Sequence, residues 1–337
     1  MSRVPPSGVD HKREWAAAES PECEASATET PNRRRSVSDT WYGCNTPAVI
    51  TMSRVGDFTL SWGESLRFDD RRGRLYCVDC ATQRLHWLEN AEPPLQTVQL
   101  PSMPAGLVLT EGHEVVACLD DGLYVVDPDA GTWERLAEYP AGMLGRANDA
   151  NADGSGNLVT GTLNIATAPG GAWWYSATEG WRLLDDEIGN TNGPVVVDVD
   201  GQSTLVLGDT PAGVAYAYPY DGRAGTVGAR RVFADHAALN GAPDGATADS
   251  DDGVWSCVLR SGRVARFTGA GLDRVVDMPV PNPSDVAFGG PALDRLFVTS
   301  IAFDLGDGSE PANQSGWLLA VDGLGATGRP EPRFALG

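Results

Sequence analysis

The chain has 337 residues, 42% of them hydrophobic and 21% charged, an ordinary composition for a folded globular protein of one large domain or two small ones. Its 46 acidic residues against 25 basic ones leave a net charge of −21, a field that repels phosphate backbones and anionic membrane surfaces and favours cations. No nucleic acid and no membrane is therefore expected among its partners, and the apolar runs are strand-sized, too short to cross a bilayer as a helix.

Taken in chain order, residues 1–51 are rich in Ser, Thr, Pro, Glu and Arg and carry almost no apolar periodicity. Such a composition buries too little surface to offset chain entropy, which predicts a disordered N-terminal extension. It has no apolar leader core, and the cysteines at 23, 44, 77, 80, 118 and 257 show no framework spacing, so a reduced, cytoplasmic protein is expected. Cys77 and Cys80 fall on a strand-like run, "RLYCVDC", whose alternation sends the two thiols to opposite faces. The tetrapeptide "MSRV" occurs at Met1 and again at Met52, and patterned sequence starts after the second copy. Met52 is thus the expected functional start, with 52–337 as the folded domain.

From about residue 57 onward, short alternating strands are separated by Gly/Asp/Pro turns, with almost no helical periodicity. Six similar strands begin at Leu75, Val115, Leu158, Leu205, Val254 and Leu296, spaced 40, 43, 47, 49 and 42 residues apart. Each follows a turn and precedes another strand. A period of this length with several strands per unit is the signature of a β-propeller, here all-β and six-bladed. The terminal segments "DFTLSW" and "PRFALG" are expected to complete one blade together and close the ring.

In such a ring the first strand of each blade lines the central channel. Aligning those strands brings Glu64, Ala105, Asn148, Asn192, Asp244 and about Ser284 to equivalent places near one mouth. Carboxylate and amide oxygens are hard ligands that suit Ca²⁺, Mg²⁺ or Mn²⁺, and few protein ligands leave positions open for water and substrate. Asn-Gly and Asp-Gly also make ordinary turns, but turns need no common alignment across blades. Competing chemistries lack their residues. The histidines His11, His86, His113 and His236 fall in the tail, at strand edges or in loops, and no G-x-S-x-G, H-E-x-x-H, phosphate-cradling loop or dinucleotide fingerprint is present. The Asp-rich "NADGSGN" at 151–157 lacks the last acidic ligand of a calcium loop and reads as a turn.

Over roughly residues 57–337 these segments resemble the SMP30/gluconolactonase/luciferin-regenerating-enzyme family. "WGESLRFDDRRGRLYCVD" is similar to its opening Glu motif, "GRANDANADGSGNLVTGTL" to its Arg-x-Asn-Asp segment, and "TNGPVVV" and "PDGATAD" to its Asn-Gly and Pro-Asp-Gly motifs. The usual Glu-Gly-Pro is Glu64-Ser65-Leu66 here, and "NIATAPGG" replaces the acidic residues that often follow the third-blade strand. The resemblance implies metal ligation by Glu64, Asn192 and Asp244, with Asn148 beside the ion and Arg146 on substrate oxygens. It assigns Asp244 a second role as general base. It implies a lactonase that opens a sugar lactone or related small ester with a divalent ion, Ca²⁺ first, with Mg²⁺, Mn²⁺ or Zn²⁺ as alternatives. A metal-dependent phosphotriesterase and a non-catalytic metal- or ligand-binding propeller stay open beside it. The expected partner is a small-molecule substrate and the expected state a monomer or dimer. Loops 164–172, 186–194 and 304–314 are expected to shape the pocket.

Overall fold

The computed structural model describes residues 49–163, 170–302 and 315–337. Two of the loops expected to shape the pocket therefore fall wholly or mostly outside the described residues, as does the tail up to residue 48. Within them the chain is a six-bladed β-propeller, six antiparallel sheets of four or five strands in a ring. The one helical element among the described residues is a short 3₁₀ turn, Ala237–Leu239.

The innermost strands are Gly63–Asp69, Gly106–Leu109, Arg146–Ala152, Thr191–Val199, Ala242–Ala248 and Pro283–Gly289, in blades one to six. Each blade then steps outward through antiparallel neighbours, as the repeat predicts. A propeller sheet is covered on both faces by adjacent blades, so its middle strands bury both sets of alternating side chains. Between blades one and two, Tyr76, Leu85 and Trp87 pack with Leu107, Val115 and Tyr124. Between blades five and six, Trp255 and Val264 pack with Val286, Phe288 and Leu296.

Closure of the ring differs from expectation. Thr51–Arg54 pairs with Leu319–Asp322 and completes blade six as its outermost strand. The strand therefore begins one residue before the expected domain start. "DFTLSW" instead links blade six to blade one, with Leu60 N–H on Gly316 O and Trp62 bridged to Ile301. "PRFALG" belongs to a strap across the far mouth of the channel. Gly328 bridges Asp249 of blade five, Phe334 bridges Thr110 of blade two, and Arg333 pairs with Asp69 of blade one at 2.7 Å. A short TMSR segment fits the open edge of blade six because the edge needs only backbone partners; the apolar Phe334 is better satisfied under the strap, where it is fully buried.

Cys77 and Cys80 fall in two different apolar clusters, as alternation requires, and the four described cysteines are buried and free. Burial pushes the Cys118 thiol up to about 12. One histidine departs from the expected positions at strand edges or in loops: His86 lies buried within the strand Arg84–Glu89, whereas His236 is in a loop, though wholly enclosed. Residues 153–157 form a turn at the end of the strand Arg146–Ala152, with Asp153 Oδ1 accepting from Ser155 and Asn157 N–H.

Candidate active site

Five of the six innermost strands carry the same irregularity at the same end. Strand partners run Glu64↔Val78 then Arg67↔Tyr76, and Ala147↔Thr162 then Ala150↔Thr160. Blades four, five and six repeat it at Asn192/Val195, Pro243/Ala246 and Pro283/Val286. Each is a β-bulge, two residues opposed to one, which kinks the strand and re-aims its side chains. Blade two pairs regularly from Gly106 to Leu109 and has none.

The bulges correct the alignment drawn from the repeats. Glu64 and Asn192 are the last paired residues before their bulges, whereas Asn148 and Asp244 are the first residues inside theirs. The four residues thus form two pairs one position apart, because a repeat in sequence does not reveal where an extra residue is inserted. Ser284 stands where Asp244 does, and Ala105 lies just outside its bulge-free strand.

The side chains are nevertheless linked. Asn148 Nδ2 donates to Asn192 Oδ1 at 2.9 Å and to Thr191 O at 3.0 Å. Asn192 Nδ2 donates to Thr210 Oγ1 at 2.7 Å, and the Thr210 hydroxyl donates to Pro243 O at 2.9 Å, immediately before Asp244. The Asn192 amide is thereby held at both ends, its nitrogen on Thr210 and its oxygen on Asn148. On the other flank, Trp62 Nε1 donates to Glu64 Oε1 at 2.9 Å, and the Arg146 guanidinium lies 5.2 Å over the Trp62 ring. Trp62 and Thr210 were not singled out in the sequence. The first is one of many aromatic residues, and the second follows an aspartate in a common turn.

Electrostatics separate these residues from turn punctuation. Burial, and then the nearby Glu64 charge, hold the Asp244 carboxyl well above the usual range. Burial raises Glu64 likewise, with the Asp285 charge adding to it and the Trp62 bond opposing it. Two acids that resist ionisation in one channel are a functional-site signature, and a cation between them removes the cost. Among the described residues no three His, Cys, Asp or Glu side chains converge as a metal cage. Glu64 and Asp244 supply only two such groups, and Asn192 supplies an amide oxygen, so the donor set fits a hard divalent ion with open positions.

Three further charged residues lie below this set. Arg67, Asp149 and Asp285 are sealed in the channel, with Arg67 3.3 Å from Asp149 and 3.2 Å from Asp285. Sequence reasoning passed over them, although an arginine between Leu66 and Phe68 on an apolar inner strand was the available signal. A cavity of about 310 Å³ lies elsewhere, at the opposite mouth beneath the strap, lined by Asn151, Thr247 and Glu331.

A profile described as the SMP-30/gluconolactonase/LRE-like region matches residues 62–302, the span that holds every residue of this site. The chain belongs to that family. This SMP-30/gluconolactonase-like chain is 32% identical to pentonolactonase XacC of Haloferax volcanii, over 84% of its own length and 98% of the relative's. It is 33% identical to a 6-deoxy-6-sulfogluconolactonase of Pseudomonas putida, over 71% and 82%. Among solved structures, the calcium-binding protein regucalcin of Agrobacterium tumefaciens superposes with a TM-score of 0.75 at 28% identity, over 83% of this chain and 96% of that one.

Proposed function

We propose that the protein is a divalent-metal-dependent lactonase that opens a sugar lactone or related small ester. The observation that carries this reading is the pair Glu64 and Asp244. Both are acids pushed upward by enclosure in one channel, beside an Asn192 whose amide nitrogen is held on Thr210 and whose oxygen, accepting from Asn148, keeps a second lone pair for coordination. The relatives named as lactonases support the reaction class, and the regucalcin named as calcium-binding supports Ca²⁺ as the ion.

Glu64, Asn192 and Asp244 would hold the ion. A bound divalent cation supplies the positive charge that polarises a lactone carbonyl and acidifies a water. Asp244 takes the proton of the attacking water, in keeping with a carboxyl whose affinity for protons is raised. Arg146, braced on Trp62, turns its guanidinium toward the oxygen on which negative charge develops. Asn148 is fixed by Thr191 and Asn192 and orients substrate oxygens at the same rim.

A panel of sugar lactones assayed beside a phosphotriester tests the reading. Lactone turnover that exceeds phosphotriester turnover supports it. Turnover of the phosphotriester alone, or of neither, overturns it.

A further inference from the structure

We infer that Arg67 is a positioning residue for the metal centre, a built-in cation that ties the ligand-bearing bulges of the propeller into one frame. The inference rests on the reading that Glu64, Asn192 and Asp244 hold a divalent ion.

Its geometry is that of a fork with both terminal nitrogens engaged, while Nε is buried without a partner. One terminal nitrogen donates to Leu66 O at 2.6 Å and Asp285 Oδ2 at 3.2 Å; the other donates to Ala150 O at 2.6 Å and Asp149 Oδ1 at 3.3 Å. The two carboxylates then accept backbone N–H groups within and beside the bulges. Asp285 takes Leu66 N–H at 2.6 Å and Val286 N–H at 2.7 Å. Asp149 takes Ala150 N–H at 2.8 Å and, from adjacent blade four, Gly193 N–H at 2.9 Å. Ser65 Oγ donates to Asp149 at 3.2 Å and accepts Leu107 N–H at 3.0 Å, which brings in blade two. Blade five joins by contact, because a Cβ on Gly245 would stand 2.0 Å from Asp285 Oδ1.

One guanidinium and two carboxylates therefore reach all six blades. The groups they fix are neighbours of the ligands: Leu66 is two residues from Glu64, Gly193 follows Asn192, Gly245 follows Asp244 and Asp149 follows Asn148. Bulges aim those side chains, and the buried ion cluster holds the bulges. Arg67 is 1% exposed, so water cannot replace it. Without it, two buried carboxylates lose their counter-charge and have to move or take protons. Lysine keeps the charge but, as a point donor, cannot grip two carboxylates and two carbonyls in this plane.

The experiment is calorimetric titration of Ca²⁺ into chelator-stripped parent, R67M and R67K, each checked for fold by circular dichroism. Supporting groups of this kind set metal affinity by about 10–100-fold, so R67M is expected to bind Ca²⁺ that much more weakly, with R67K between it and the parent. Lactone KM at saturating metal should stay near the parent's, a split that a merely destabilised protein would not produce. Folded R67M with parent-like Ca²⁺ affinity overturns the inference. If R67M does not fold, parent-like affinity in R67K overturns it. A parent that binds no divalent ion overturns the metal reading and this inference together, whereas a binding parent with an unaffected variant overturns this inference alone.

Discussion

Gly245 and Asp285 are in contact between the inner strands of adjacent blades, so close that a single added methyl on the glycine would lie 2.0 Å from the aspartate's Oδ1. That explains the Pro-Asp-Gly of blade five. Gly245 does not adopt a left-handed conformation; it is small because a buried carboxylate of blade six occupies the space its side chain would need. G245A is expected to lose about 1–3 kcal/mol of stability through overpacking and to weaken metal binding, because Asp244 is the adjacent residue. Thermal melts with and without Ca²⁺ check this; an unchanged Tm would mean that the contact is not as tight as described.

Thr210 accepts the Asn192 amide and donates to Pro243 O. T210V keeps the shape and removes both bonds, leaving a buried donor and acceptor without partners, at a cost of about 1–3 kcal/mol each at most. With the amide free to turn, Ca²⁺ affinity should fall about 10-fold or more. The check is calorimetry on the folded variant, and parent-like affinity would count against Thr210 as the orienting group.

Metal affinity should rise with pH. Glu64 and Asp244 are both held above their ordinary values, and each has to be ionised to bind a cation, so protons compete. The same shifts give the metal-free protein stability that is complete below ordinary carboxylate pKa values and is lost as pH rises through the raised ones. Ca²⁺ should therefore raise Tm more at pH 8 than at pH 5. A metal-induced shift that is flat or larger in acid would contradict this.

His236 predicts the acid limb. It is fully buried on Ser256, its Nδ1 has no partner, and burial lowers it to about 4. A folded value below the unfolded 6.5 means stability present above pH 6.5 and lost as pH falls towards 4, about 3 kcal/mol in all. Denaturant unfolding between those limits should show the loss in the parent and a smaller one in H236Q. Equal losses would assign the acid limb to other groups.

Residues 51–54 close the ring on Leu319–Asp322. A chain begun at Met52 forgoes the Thr51–Asp322 pair and the packing of Ile50, and is expected to stay folded and active. One begun at Gly56 leaves the edge of blade six open and should unfold at lower denaturant concentration. Equal midpoints for the two would show that closure by this strand adds nothing.

How much of this was readable beforehand follows from what each signal reports. The six-blade repeat was legible because every blade needs the same strands and turns. The residues Glu64, Asn148, Asn192 and Asp244 stood out because oxygen-bearing side chains recur at strand starts. Their one-residue offset was not legible, since a bulge adds a residue without changing composition. Arg67, Asp149 and Asp285 were hidden for a different reason. Their meaning lies in contacts between residues 82 to 218 positions apart in the chain, and in sequence they look like stray charges on apolar strands. The closing strand was missed because Thr51–Arg54 is four residues long, with no repeat partner to mark it.

The most direct measurement is hydrolysis of pentono- and gluconolactones by chelator-stripped protein, before and after adding back Ca²⁺, Mg²⁺, Mn²⁺ or Zn²⁺, with D244A run alongside. Turnover is expected to be absent without metal, to return with at least one ion, and to stay absent in folded D244A whatever ion is present. Equal turnover with and without metal, or near-parent turnover in D244A, would contradict the assignment.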